Sequence, residues 1–135
     1  MLSTHPHVHL TSEVDGVLPA ANGGRGSRID STASRATLTP NFDNYDMHIL
    51  TAQVEDFAIA NSGGTAIDGF KLIIRIKDDN THRHITSWGS QYRGIIAELP
   101  TVTVAGKTLY LGFIWNVTDT KYDLVAIAQE ALDDD

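Results

Sequence analysis

Three histidines alternate with other residues near the N-terminus of this chain, in the order His-Pro-His-Val-His. They are His5, His7 and His9. In an extended strand, residues two positions apart lie on the same side, so the three imidazole rings would line up. Neutral imidazole is a ligand for zinc, iron, nickel and copper. The spacing is compatible with a metal site, and the alternatives are a polar terminus or histidines that contact a partner surface.

Four large aromatic residues in the second half of the chain would stack on sugar rings if they shared an exposed face. They are Trp88, Tyr92, Trp115 and Tyr122. Large aromatic residues in strands more often lie in a core or an interface, with their polar atoms hydrogen-bonded. Trp115 continues an apolar alternation, which favours burial. Trp88 and Tyr92 lie nearer a loop and are therefore the better candidates for glycan binding.

Acidic residues and histidines are present, but they show no recognisable catalytic arrangement. The acidic candidates are Glu55, Asp56, Asp78, Asp79, Asp119 and Asp123. A glycosidase needs two carboxylates at a defined separation in a cleft, and these lie mainly in turns or on polar strand faces. His82 and His84, next to Asp78 and Asp79, are expected to form only hydrogen bonds or weak ion pairs. With no G-x-S-x-G motif and no phosphate-binding loop, the sequence predicts a protein that is not an enzyme.

The charge balance disfavours several classes of partner. Ten lysines and arginines stand against 17 aspartates and glutamates, which gives a net charge of -7 with no basic run. Nucleic acids and anionic membranes are bound mainly through clustered Lys and Arg, so neither is expected as a partner. The absence of cysteine excludes disulfides and thiolate metal sites. The chain shows no signal-peptide pattern and no apolar run of about 20 residues, so no membrane span is expected.

The first 30 residues have a composition typical of neither a helix nor a plain linker. Gly16 and Pro19 cannot both lie inside one helix, because glycine loses the most backbone entropy and proline removes a donor. Val14 and Val17 would leave apolar surface in water if the segment were free. We therefore expect residues 1–30 to form an extended arm that packs against another surface, most simply another subunit.

From His48 onward, short β-rich runs alternate with clusters of turn residues. The clearest strand is predicted at Phe70 to Lys77, where apolar and basic residues alternate with a period of two. The turn residues that follow it predict a hairpin, with His82 to Trp88 as the partner strand. Other strands are predicted at Arg35 to Thr39, His48 to Ala60 (as one strand or two), Gly94 to Leu99, Thr101 to Ala105, Thr108 to Val117 and Tyr122 to Gln129.

About seven or eight short strands, with turn signals roughly every 8–12 residues, predict an all-β protein. The expected fold class is a β-sandwich of jelly-roll type. At 135 residues the chain has room for one domain and an arm. The predicted organisation is an arm at residues 1–30, a knob at 31–130 and an acidic tail at 131–135.

Two stretches of the chain resemble structural proteins of bacteriophage virions. TSEVDGVLPAANGGRGS is similar to the phrase G-x-L-P-x-A-N-G-G-x-G of trimeric tail-fibre and other appendage proteins, with Arg25 in place of the usual Thr. Residues 64–129 resemble a small module of phage structural proteins, with Tyr122 where Trp is usual. The module residues that match are Asp68, Gly69, Lys71, Lys77, Asp78, Trp88, Tyr92, Arg93, Gly94, Pro100, Lys107, Tyr110, Asn116, Asp119, Lys121 and Asp123.

The resemblance implies a homotrimeric, non-enzymatic structural protein of the virion surface that assembles in the host cytoplasm. Its implied partners are its own copies, the major capsid protein or other virion proteins, and host glycans. The arm is short, at most about 100 Å when extended, which favours a capsid cement, decoration or head-fibre protein over a long tail fibre. The alternative is a tail-fibre or tail-tip protein that recognises a host surface polysaccharide.

The resemblance also implies roles for residues of the arm. Trimeric phage fibres bind metal through His-x-His, so His5, His7 and His9 are metal candidates around a three-fold axis, and no other cofactor is expected. The residues expected to anchor the arm to other subunits or to the virion are Val8, Leu10, Val14, Gly16, Val17, Leu18, Pro19, Asn22, Gly23 and Gly24. Each apolar side chain among them would contribute roughly 1.5–3 kcal/mol if fully buried.

Overall fold

The computed structural model describes residues 26–133, which form nine strands and no helix. The strands are β1 (Ile29–Thr32), β2 (Thr37–Leu38), β3 (Met47–Gln53), β4 (Phe57–Ile59), β5 (Lys71–Asp78), β6 (Ile85–Trp88), β7 (Tyr92–Gly94), β8 (Leu109–Asn116) and β9 (Lys121–Gln129). Over these residues the prediction of an all-β protein is confirmed. This part of the chain contains no helix able to cross a membrane.

The nine strands form two sheets. The larger sheet has six strands in the order β1-β3-β5-β8-β9-β7, and the smaller has three in the order β2-β4-β6. From β1 to β6 the chain alternates between the sheets, and each strand pairs in parallel with the next strand of its own sheet. The antiparallel pairs are β5 with β8 and β8 with β9, while β7 pairs in parallel with β9. The first six strands therefore wind as successive coils through both sheets.

The sequence of β5 explains why the larger sheet has one buried and one outer face. Its fully buried residues are Leu72, Ile74 and Ile76. Lys71 and Lys77, on the opposite face, are exposed. Successive side chains of a strand point to opposite faces, and β-branched isoleucine packs well on a pleated surface. The predicted strand and its two faces are confirmed, with bounds shifted by one residue.

The hairpin predicted after β5 is wrong. The chain does turn there, but β6 lies in the smaller sheet and pairs with β4. The antiparallel partner of β5 is β8, in a register where Ile74 pairs with Leu111. A turn signal indicates that the chain changes direction, but it does not determine to which sheet the chain returns.

Two of the shorter predicted strands are not formed. Instead of strands at 94–99 and 101–105, the structure has β7 at Tyr92–Gly94, and Val102 makes a single bridge with His84. Pro100 lies between the two runs and has no N–H to donate to a ladder. The run from His48 to Ala60 divides into β3 and β4, which lie in different sheets.

One apolar core cluster contains residues of both sheets. The smaller sheet contributes Phe57 and Ile59, and the larger contributes Leu111 and Leu124, all almost completely buried. The larger sheet already begins at Ile29, inside the stretch that the sequence assigns to the arm.

Candidate functional site

The residues predicted to bind metal or to anchor the arm lie outside the described part of the chain. They are His5, His7, His9, Val8, Leu10, Val14, Gly16, Val17, Leu18, Pro19, Asn22, Gly23 and Gly24. Their roles stay predictions. Among residues 26–133, no group of three or more His, Asp or Glu side chains is placed to hold a metal ion.

The two glycan candidates pack into the domain. Tyr92 is only 6% exposed, and its hydroxyl donates to the carbonyl of Ala60 at 2.8 Å. Trp88 packs against the core while partly buried, and its indole N–H donates to the carbonyl of Pro100 at 2.7 Å. The two rings meet edge to face, with centroids 5.2 Å apart. Tyr92 thus has little ring surface left for a sugar, and a glycan role of Trp88 stays a prediction.

Tyr122 lies at the centre of an aromatic cluster in the core. Its ring is fully buried and stacks on Phe42 and Tyr92, with centroid distances of 5.2 Å and 5.3 Å. Trp115 meets the same ring edge to face at 4.9 Å. Burial raises the pKa of Tyr122 to about 12, because a phenolate there would lose its hydration. The aromatic residue at this position therefore has a packing role.

A buried polar network joins β1 to β3 near the edge of the larger sheet. Asp30 accepts two hydrogen bonds of 2.8 Å from Arg35 and lies 3.1 Å from Nδ1 of His48, whose side chain is 1% exposed. The amide of Gln53 bonds to the backbone of Arg35 at 3.0 Å and 2.6 Å. Burial lowers the pKa of His48, and the neighbouring Asp30 only partly offsets this effect. The network stabilises the first coil of the domain.

The free energy of unfolding is expected to decrease as the pH falls below about 6.5, because of His48. In the unfolded chain this side chain titrates near pH 6.5. Its pKa in the folded protein is lowered, so the folded state binds fewer protons than the unfolded state in this range. Acid therefore favours unfolding from pH 6.5 down to the lowered pKa, and the effect vanishes above pH 6.5.

Urea unfolding at a series of pH values between about 5 and 8 measures this effect. The variant His48→Gln removes the titrating group and is expected to flatten the pH dependence in this window. Equal slopes for the variant and the unmodified protein would contradict the assignment to His48.

A buried carboxylate, that of Asp78, joins the turn after β5 to the loop before β8. Asp78 is 3% exposed and accepts hydrogen bonds from the Thr103 hydroxyl at 2.5 Å, the Gly106 amide at 2.6 Å and the Asn80 amide at 3.0 Å. Asn80 and Gly106 have positive φ angles of 75° and 72°, which asparagine and glycine tolerate best. The predicted turn is present, but its first carboxylate points into the protein.

Other acidic candidates form ion pairs with basic side chains. Asp79 pairs with Arg83 at 2.7 Å, and Arg93 pairs with both Asp123 at 2.7 Å and Asp119 at 3.0 Å. The hydrogen bonds that Arg93 donates to Asp123 and Asp119 raise the pKa of Arg93, and the bond to Asp123 lowers the pKa of that carboxyl. These pairs hold surface turns together, and none of them places two carboxylates around an open cleft.

His84 forms the kind of contact that the sequence predicts for the exposed histidines, although with a different partner. The backbone amide of His84 donates to Asp56 at 2.8 Å, and its ring nitrogen lies 3.6 Å from the same carboxylate. This backbone hydrogen bond is the main cause that lowers the pKa of Asp56. The rings of His82 and His84 meet edge to face at 5.5 Å. Because the chain crosses to the smaller sheet here, the ion-pair partner of His84 is Asp56 and not Asp78 or Asp79.

The outer face of the larger sheet carries an apolar row, with one residue from each of five neighbouring strands. In register order the row consists of Ile29, Met47, Ile73, Gly112 and Ala126. Neighbouring strands lie about 4.8 Å apart, so the row is about 19 Å long. A Cβ added at Gly112 would lie 3.7 Å from Cδ1 of Ile73, so the isoleucine side chain lies close against this glycine. The row is apolar surface on a face that no other described strand covers.

Three basic side chains of β5 lie on the same outer face as Ile73. They are Lys71, Arg75 and Lys77, and together with the apolar row we call this surface the basic face. Arg75 contacts the ring and the hydroxyl of Tyr110, at 5.9 Å and 3.3 Å. None of the three has a carboxylate partner among residues 26–133. On a protein of net charge -7, this cluster of basic side chains without ion pairs is a candidate interaction surface.

The other basic residues of the described chain all have partners. Of its nine lysines and arginines, five form ion pairs with carboxylates, and Lys121 donates to the carbonyl of Ser90. The alternation in β5 already predicted that its three basic residues share a face. It did not show that all three lack a carboxylate partner, because this depends on which carboxylates the fold brings near each cation, such as Asp123 near Arg93.

A groove of about 710 Å³ opens at the Lys71 end of the basic face. Lys71, Met47 and Ile73 line it together with Gly26 and Ser27, the first two described residues. The described part of the chain therefore begins beside the basic face. This connects the stretch predicted as an arm with the candidate surface.

The chemistry of the basic face is suited to recognition. Its cations attract carboxylates and steer a partner of opposite charge, while the apolar row contributes burial on contact. An acidic and apolar extended segment would satisfy both features. In comparisons with known proteins, the chain matches no protein-family model, no curated protein and no solved structure.

Proposed function

We propose that this chain is a non-enzymatic structural protein of a bacteriophage virion, of which three copies decorate and stabilise the capsid as a cement or head-fibre protein. The observation that carries the proposal is the resemblance of two separate stretches to phage virion proteins. One is the arm phrase, from Gly16 to Gly26, and the other is the module at residues 64–129. If the likeness of the short arm phrase arose by chance, a second likeness at residues 64–129 would not be expected to accompany it.

The described domain supports a structural role through its packing. The partly buried carboxylate of Asp30 contacts His48, and the buried carboxylate of Asp78 accepts from Thr103 and Gly106, so each joins segments that are distant in the chain. Two aromatic residues of the module, Tyr92 and Tyr122, lie in the core cluster. The module residues Arg93 and Asp123 form an ion pair that links β7 to β9. Matching residues of the module thus have packing and pairing roles that a compact building block requires.

We also propose that the two sheets pack face to face as a β-sandwich. A single core cluster that includes Ile59 of the smaller sheet and Leu111 of the larger supports this arrangement. Five of the seven strand pairs are parallel, which differs from the antiparallel ladders of a jelly roll. The proposal is therefore a sandwich whose first half is wound as parallel coils.

The location and copy number of the protein on purified phage particles test the proposal. We expect hundreds of copies per particle, measured by quantitative mass spectrometry, and labelling over the capsid in electron micrographs with a specific antibody. A few copies at the tail would favour the alternative, a tail-fibre or tail-tip protein that recognises a host polysaccharide. Absence from the particle would contradict both.

Removal of residues 1–25 is expected to abolish binding to particles while leaving the domain folded. The truncation stops before β1, because Ile29 and Asp30 belong to the larger sheet and its polar network. Circular dichroism and thermal unfolding of the truncated protein check the fold. Sedimentation with particles that lack the protein checks binding, with the full chain as the control. Equal binding by the two proteins would contradict anchoring by the arm.

A further inference from the structure

The basic face has an acidic and apolar complement in this same chain. The segment Glu13-Val14-Asp15-Gly16-Val17 precedes Gly26 in the sequence by nine residues, and Gly26 lines the groove at the Lys71 end of this face. We propose that residues 13–17 dock in extended form on the basic face of their own domain, running antiparallel to β5. In this register the facing pairs are Glu13 with Lys77, Asp15 with Arg75, and Val17 with Ile73.

The spacing of alternate side chains in residues 13–17 matches the spacing of alternate side chains in β5. Residues two apart in an extended chain lie on the same side, about 6.6 Å from each other. Positions 13, 15 and 17 therefore share one side of the segment, as positions 77, 75 and 73 share the outer face of β5. If the segment began at Lys71 and ran parallel to β5, Asp15 would face Ile73 and Val17 would face Arg75. Of these two alignments, only the antiparallel one pairs each carboxylate with a cation.

The path of the chain agrees with the antiparallel direction. β1, β3 and β5 are parallel, so all three begin at the end of the sheet where Gly26 and Ser27 line the groove. A segment antiparallel to β5 arrives at this end after Val17. It then has eight residues, 18–25, to reach β1, which lies two strand spacings or about 10 Å away. Eight residues span up to about 26 Å, and Asn22, Gly23 and Gly24 are turn residues.

Two observations favour the chain's own segment as the occupant. Two basic faces from different copies would repel each other, so the face does not fit a symmetric contact between copies. The tether through residues 18–25 also holds residues 13–17 at a high effective concentration near their own face. Docking leaves residues 1–12, with His5, His7, His9, Val8 and Leu10, for contacts with other subunits or the virion. The inference does not depend on the proposed function.

Paramagnetic relaxation enhancement in the isolated full-length protein tests this docking. The sequence contains no cysteine, so Ser12→Cys places a single nitroxide label beside Glu13. In isotope-labelled protein we expect the amide signals of Arg75, Ile76 and Lys77 to lose most of their intensity. Adding Glu13→Lys and Asp15→Lys should restore these signals. When Arg75→Glu and Lys77→Glu are added to these two substitutions, the signal intensity should be lost again. The segment is then basic and the face acidic, so their charges are once more opposite.

A mixed sample distinguishes the occupant. Spin-labelled protein without isotopes is refolded together with isotope-labelled protein without a spin label, so that signal loss reports only contacts between copies. Docking on the own domain leaves the β5 signals intact in this sample. Their loss here would assign the segment to a neighbouring copy, and undiminished β5 signals in the singly labelled chain would exclude docking altogether. Either result would overturn this inference. Neither would change what the particle-binding experiments say about the proposed function.

Discussion

Replacing Tyr122 with alanine is expected to lower the free energy of unfolding by about 3–5 kcal/mol, the cost typical of truncating a buried aromatic residue. The ring is fully buried and touches Phe42, Tyr92 and Trp115 at centroid distances near 5 Å. Its removal would leave a cavity bounded by rigid rings from different elements. Such rings cannot all shift to fill it, so the surroundings relax only in part.

Urea unfolding followed by tryptophan fluorescence measures this loss, since Trp115 lies in direct contact with the ring. Tyr110→Ala is the matched control, because it makes the same chemical change at a side chain that is 39% exposed on the outer face. We expect the control to cost less than about 1 kcal/mol. Similar losses in the two variants would show that Tyr122 does not have the central packing role assigned to it.

Replacing Asp78 with alanine is expected to have the second largest effect, a loss of about 2–4 kcal/mol. The carboxylate accepts hydrogen bonds from Thr103, Asn80 and Gly106, and no water reaches it easily because it is 3% exposed. Without it, two backbone amides and a hydroxyl would lose their partner. A buried donor left without an acceptor costs more than the net value of the bond.

Two further variants separate hydrogen bonding from charge at this position. Asp78→Asn keeps one carbonyl acceptor and the shape of the side chain, so its loss of stability is expected to be smaller than that of the alanine variant. Asp79→Ala removes the neighbouring, more exposed carboxylate that pairs with Arg83 and is expected to have a much smaller effect. Chemical unfolding of all three variants checks the order. An Asp79→Ala loss as large as that of Asp78→Ala would contradict the assignment.

The alternation of apolar and basic residues allowed β5 to be predicted within one residue of its bounds. It also predicted which of its side chains face the core. The same kind of pattern failed at residues 94–105, where Pro100 and single bridges replace a regular ladder. The burial of Trp115 was predicted from its apolar neighbours. That of Tyr92 was not, because its hydrogen-bond partner Ala60 is far away in the sequence.

The sequence was sufficient to predict the β-rich character of the domain, the two faces of β5 and the placement of its three basic residues on one of them. These properties follow from side-chain alternation, which is local. The tertiary structure alone decided which strands pair, because a period of two does not identify a partner strand or its direction. In the folded domain β6 belongs to the smaller sheet, and β8 pairs with β5. It also decided which charges are paired, since five of the nine basic residues in residues 26–133 form ion pairs with carboxylates, whereas Lys71, Arg75 and Lys77 have no carboxylate partner there.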